Sequence, residues 1–229
     1  STTGRLDLAA SYVRLDGAFE CLLPPAGGTS GEGEVTLRAQ TMDVSGAVLF
    51  DRSVARATFD VAGDLRPSGV SPYQLRFDQG DAPPSLAGQL AVNGDLTLKA
   101  GQVYATTGST FSVTSAAADG VLRIERASSA TPATPYSAGS RLTLQADTIV
   151  QNGVLRAPVG ALTLGSNTAL TANGVTFAPV TRSVTLGDGG VTSVSAGGLS
   201  IPYGVTTDQT EYFFTPTKGS PLTAAPTGV

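Results

Sequence analysis

A segment that recurs constrains this chain most. Asn152-Gly153-Val154-Leu155-Arg156-Ala157-Pro158-Val159 returns as Asn173-Gly174-Val175-Thr176-Phe177-Ala178-Pro179-Val180. Each copy runs into a similar short stretch, Leu162-Thr163-Leu164-Gly165 and then Val184-Thr185-Leu186-Gly187. A unit of about 20 residues cannot bury a core alone, so the copies must lean on one another as in a solenoid. No segment carries helical spacing of apolar residues, so the solenoid expected is one of strands.

A more diffuse pattern recurs six times: an apolar residue, a second two positions on, and a third seven positions on. The sets are Leu6/Leu8/Val13, Val35/Leu37/Met42, Leu96/Leu98/Val103, Leu142/Leu144/Ile149, Leu162/Leu164/Ala169 and Val184/Leu186/Val191. The first two positions of each set share one face of a strand. Small or polar residues then intervene (Ala10, Ala39, Ala100, Ala146, Ser166, Asp188), which reads as strand, corner, strand. At ~20 residues per turn of the coil, the steps from Leu142 to Leu162 and from Leu162 to Val184 fit one turn each. On the same count Leu96 to Leu142 suggests two turns, and Val35 to Leu96 suggests three. Phe59-Asp60-Val61-Ala62-Gly63-Asp64-Leu65 also resembles Leu90-Ala91-Val92-Asn93-Gly94-Asp95-Leu96.

Composition narrows the chemistry. The formal charge is −4, Lys occurs only at Lys99 and Lys218, and the arginines are scattered singly. A nucleic-acid interface needs a basic patch that displaces counterions, so nucleic acid is not an expected partner. There is no His and a single Cys, Cys21, so a Cys/His zinc site, a Ser-His-Asp or Cys-His mechanism and an intramolecular disulfide all lack their parts. Cys21 reads as a small buried apolar residue or an exposed passenger. No apolar run approaches the ~20 residues of a membrane helix, and membrane insertion is not expected. The chain starts at Ser1 and neither end looks like a cap, which suggests a piece of a longer protein.

Three stretches carry a family resemblance. They are Asn93-Gly94-Asp95-Leu96-Thr97-Leu98-Lys99-Ala100-Gly101-Gln102-Val103-Tyr104, the run from Val154 to Leu164, and the run from Val191 to Gly204. Together they resemble the middle of a filamentous-haemagglutinin-like large exoprotein. The likeness covers roughly residues 54 to 210, while the first fifty match only in style. It implies a right-handed, single-stranded parallel β-helix and an extracellular life as a fibre shaft on a Gram-negative bacterium. It also implies export by two-partner secretion through an outer-membrane transporter. It brings no catalytic residues to transfer.

The expected fold class is therefore all-β, a parallel β-helix over residues 1–215 with loop excursions near 15–33 and 66–88, and a Pro-rich linker or tail over 216–229. Pro and Gly mark loops at 23–31, Arg66-Pro67-Ser68-Gly69, Ala82-Pro83-Pro84-Ser85 and 130–135. Leu96, Leu98, Leu142, Leu144, Leu162, Leu164, Val184 and Leu186 are expected to point inward, stacked in adjacent rungs. Tyr212-Phe213-Phe214 is expected to pack over the last rung, or else to offer a sticky patch.

The expected function is a structural shaft segment of a secreted adhesin or matrix fibre, mediating attachment or assembly without catalysis. Neighbouring segments or further copies would stack end to end, and surface glycans are a further candidate partner. A polysaccharide-processing β-helix is the alternative; its carboxylates would come from Asp60, Asp64, Asp78, Asp81 and Asp95, with Arg76. Against it, Asp64 and Asp95 sit in Gly-Asp pairs that turn chemistry alone explains. Asp78-Gln79-Gly80-Asp81 reads as a solvated loop with too few oxygen ligands for calcium. Gly187-Asp188-Gly189-Gly190 closes a strand and is no phosphate loop. No catalytic, cofactor-binding or metal-binding residue is assigned. A third reading places a glycan- or protein-binding surface on the two loop excursions.

Overall fold

A computed structural model describes residues 4–17, 31–70, 86–172, 175–200, 205–207 and 211–213. The chain runs back and forth between two parallel sheets in a series of passes. The first pass is β1 (Arg5–Ala9) and β2 (Tyr12–Asp16); the second is β3 (Gly33–Ala39), β4 (Thr41–Ser45) and β5 (Ala47–Leu49). The third is β6 (Val54–Ser68) and β7 (Leu86–Val92), and the fourth β8 (Asp95–Tyr104) and β9 (Ser109–Ser115). The fifth holds β10 (Val121–Arg126) and β11 (Arg141–Gln145); the sixth β12 (Thr148–Gln151), β13 (Val154–Arg156) and β14 (Ala161–Leu164). A hairpin of β15 (Leu170–Ala172) and β16 (Val175–Ala178) precedes the seventh pass, β17 (Ser183–Leu186) and β18 (Val191–Ser193). A last hairpin joins β19 (Val205–Thr207) and β20 (Glu211–Phe213).

The order β1-β3-β6-β8-β10-β12-β17 forms the spine of an 11-stranded sheet, and β5-β7-β9-β11-β14 forms a 5-stranded one. Among the described residues every strand-to-strand pairing in these two sheets is parallel, with one isolated antiparallel bridge from Val70 to Ala87. Because each pass pairs with the pass before it, the architecture is solenoid-like. Among the described residues β1–β2 and β17–β18 have no companion strand in the second sheet, so the first and last passes do not close.

Registered stacking builds the core. One column of the larger sheet runs Leu6, Val35, Ala57, Leu96, Leu122, Ile149, Val184. The next runs Leu8, Leu37, Phe59, Leu98, Ile124, Gln151, Leu186, and a third Val13, Met42, Leu65, Val103, Leu155, Thr192. Val48, Leu90, Val113, Leu144 and Leu164 face them from the second sheet. Between the ends these side chains are almost wholly buried. Large is matched by small: a Cβ on Gly88 would lie 2.6 Å from the Phe111 ring, so the phenyl fills the space glycine leaves.

Several expectations are corrected. Leu96, Leu98, Leu142 and Leu144 are buried and Leu162 and Leu164 pack against the core, but Val184 and Leu186 are 42% and 65% exposed. They face inward in register, yet β17 is an edge strand and no described strand stacks beyond it. Nor do the eight form one stack, since Leu142 and Leu162 pair in the second sheet while Leu96 and Val184 lie in the first. The stretch from Val35 to Leu96 holds two passes, through Ala57, where three were expected.

The near-repeat of 152–159 at 173–180 does not repeat in space. Its first copy supplies β13, parallel to β8 and β18, whereas its second supplies β16, antiparallel to β15. The stretch Arg66-Pro67-Ser68 is strand, not loop: Pro67 sits opposite Val44 and its carbonyl accepts the Thr106 N–H at 2.9 Å. The position is near a strand end, where the missing N–H interrupts the ladder least. The loop at 130–135 is observed as expected. Cys21, the Tyr212-Phe213-Phe214 side chains and most of both loop excursions lie outside the described residues.

Candidate assembly face

Side chains that alternate with the core columns project outward from the larger sheet, and they too fall into columns. One runs Arg5, Glu34, Arg56, Asp95; another Ala9, Arg38, Asp60, Lys99, Glu125; between them stand Thr36, Thr58 and Thr97. A further column on the second strands runs Arg14, Asp43, Arg66, then Tyr104 and Arg156. Sign alternates from Arg5 to Asp95, from Arg38 to Glu125 and from Arg14 to Arg66. Opposite charges directly across a ladder stabilise the pairing, and a slip by one strand position would destroy every such match.

The contacts follow the columns. Arg56 donates to Glu34, and Lys99 Nζ lies 3.2 Å from Asp60 Oδ1. Arg66 grips Asp43 with both prongs, Nε to Oδ1 at 2.6 Å and Nη2 to Oδ2 at 2.9 Å, while Tyr12 donates its hydroxyl to the same carboxylate at 2.6 Å. Bidentate geometry in a half-buried setting makes this the strongest of the outer pairs. Hydrogen bonding and attraction to Asp43 raise the Arg66 guanidinium above its ordinary value. Tyr104 donates to Asp64 Oδ2 at 2.9 Å and Gln102 to Asp64 Oδ1 at 3.0 Å. Burial first, then the Asp64 charge, pushes the Tyr104 phenol up to about 12.

Arg156 is the most enclosed cation of this face. It anchors the 127–140 loop, donating to Thr134 Oγ1 at 3.0 Å and to the Pro132 carbonyl at 3.2 Å, while its Nε has no partner among the described residues. The loop stands where the fifth pass lacks a second strand, which lets β13 pair directly with β8. Gln145 does similar work on the second sheet, donating to the carbonyls of Thr168 and Pro179 at the base of the inserted hairpin.

The carboxylates weighed for glycan chemistry are not brought to one site. Asp60 is paired with Lys99, Asp64 is held by Tyr104 and Gln102, and Asp95 opens β8 and accepts the Val121 N–H at 3.0 Å. Asp64 is not a turn residue: it lies within β6, beside the irregularity that follows Val61. Asp78, Asp81 and Arg76 lie outside the described residues. Among the described residues no group of three or more His, Cys, Asp or Glu is placed to hold a metal ion. An open groove of about 540 Å³ is lined by Gly4, Arg5, Glu32, Glu34, Ala55 and Arg56.

The sequence reading did not single out Asp43, Arg66, Gln102 or Tyr104 as a network. Alternation of sign at the outward positions of paired strands could have found them, but only once register was known. No family model, curated protein or solved structure matches the chain.

Proposed function

We propose that this chain is a section of the shaft of an extracellular fibre, of the filamentous-haemagglutinin-like adhesin kind, wound as a right-handed single-stranded parallel β-helix. The observation that carries the reading is the column Leu6 to Val184, in which seven strands of one chain stack in parallel in the order they are made. In such a stack stability is close to a sum of nearest-neighbour terms, so passes can be added without redesign. That property suits a spacer. The outer face supports the same reading, because Glu34, Asp43, Asp60 and Asp64 are engaged in holding neighbouring strands together.

In this reading the protein is secreted, reaching the surface of a Gram-negative bacterium through an outer-membrane transporter, and takes part in attachment or assembly. Its partners are neighbouring passes of like construction, with surface glycans as a further ligand class for the loop excursions. Electron microscopy of producing cells labelled with an antibody to this chain tests it. Label along surface filaments is expected. Label confined to the cell interior, or release of reducing ends from a glycan panel by the purified chain, would overturn it.

A further inference from the structure

The edge formed by β1 and β2 is unfinished in a chemically specific way. Leu6 and Leu8 occupy core columns yet are 53% and 42% exposed, because no described strand lies beyond them. Nor does any described strand pair with the outer backbone of β1. Gly4 accepts the Glu34 N–H at 2.8 Å and Ala10 donates to the Arg38 carbonyl at 3.0 Å. In a parallel ladder alternate residues bond to opposite neighbours, so Arg5, Asp7 and Ala9 direct their main-chain groups to the side on which no described strand lies.

Charge says what the edge would accept. Glu34 stands opposite Arg5, but Arg56 on the next strand takes it. Asp43 stands opposite Arg14, but Arg66 and Tyr12 take it. Each arginine instead bends to a carboxylate on its own strand, Arg5 to Asp7 at 2.6 Å and Arg14 to Asp16 at 2.8 Å, in exposed pairs of little worth. A strand laid on the open side with carboxylates at these two positions would continue both alternating columns.

We infer that the β1–β2 edge is an acceptor for a parallel β-strand that carries acidic residues opposite Arg5 and Arg14 and apolar residues over Leu6, Leu8 and Val13. The inference rests on the reading of the chain as a shaft section, and it specifies the section's neighbour. A second copy does not fit. The other end of the same columns offers Ser183 and Ser193, hydroxyls where carboxylates are wanted.

The chain contains a strand of the required pattern, since residues 33–45 present Glu34 and Asp43 to these arginines from the inner side. A labelled synthetic peptide of that sequence, Gly33 to Ser45, is therefore the probe, titrated onto the full chain by fluorescence anisotropy. Its counterpart carries Glu34→Lys and Asp43→Lys. The acidic peptide is expected to bind at least about tenfold tighter, and Arg5→Glu with Arg14→Glu in the protein to reverse the preference. Hydrogen exchange should slow at the Asp7 and Ala9 amides when the acidic peptide is bound.

Equal affinity for the two peptides overturns the inference and leaves the shaft reading standing, because surface labelling tests that separately. Binding of neither peptide overturns it too. So does concentration-dependent dimerisation of the chain alone that protects Asp7 and Ala9, for then a second copy is the occupant.

Discussion

Leu144 is fully buried between Val113 and Leu164 in the second sheet and faces the columns of the first. Leu144→Ala should cost about 2–5 kcal/mol by leaving a cavity between passes, measured by chemical denaturation. Val159 is strained in the other direction. It is a β-branched residue at φ 53°, exposed in the turn after β13, with its N–H given to the Val194 carbonyl at 2.9 Å. Glycine adopts that conformation freely, so Val159→Gly should stabilise the fold by about 1 kcal/mol; an unchanged or lower midpoint would refute the strain. Tyr104 links stability to alkali. Its folded pKa of about 12 lies above the ordinary value of 10, so the folded state keeps a proton the unfolded chain has lost. Its contribution is complete below about pH 10 and disappears as pH rises toward 12. Tyr104→Phe should flatten the fall in stability over that window without abolishing it, because hydrogen bonding to Asp43 raises Tyr12 as well.

At the scale of the element, the Asp43–Arg66 pair ties β4 to β6. It is half-buried, so Arg66→Met should cost about 1–3 kcal/mol, between the values for exposed and buried pairs. A loss below about 0.5 kcal/mol would place the pair among surface contacts that stabilise nothing. The strand–corner–strand spacing was legible wherever a pass kept strict count. Leu6/Leu8/Val13, Val35/Leu37/Met42 and Leu96/Leu98/Val103 do so and fall into shared columns. Ala57, Phe59 and Leu65 belong to the same columns, but the irregularity after Val61 inserts one residue and hides them from a fixed offset. Leu142 and Leu144 match the offsets for a different reason, since Ile149 follows them in the other sheet. Sequence likeness misled most at residues 173–180. Strand type there is set by the neighbour available, and β15 offers an antiparallel one.

For the whole molecule the consequence is a register kept from pass to pass. The pass from Val35 to Ala57 is much shorter than the pass from Ala57 to Leu96, yet both keep the same columns. Core side chains and outer charges then carry the pattern from pass to pass. That pattern depends on outward residues of successive passes lying side by side. Disulfide trapping measures this directly: in a Cys21→Ser background, Thr58→Cys with Thr97→Cys places two thiols on paired residues of β6 and β8. Paired strands lie about 4.8 Å apart, within the span a disulfide bridges. Mild oxidation of the folded protein should give a nearly complete intramolecular cross-link, while Thr58→Cys with Thr143→Cys, on the other sheet, should give none. Failure of the first pair to close, or equal closure of the second, would contradict the stacked register.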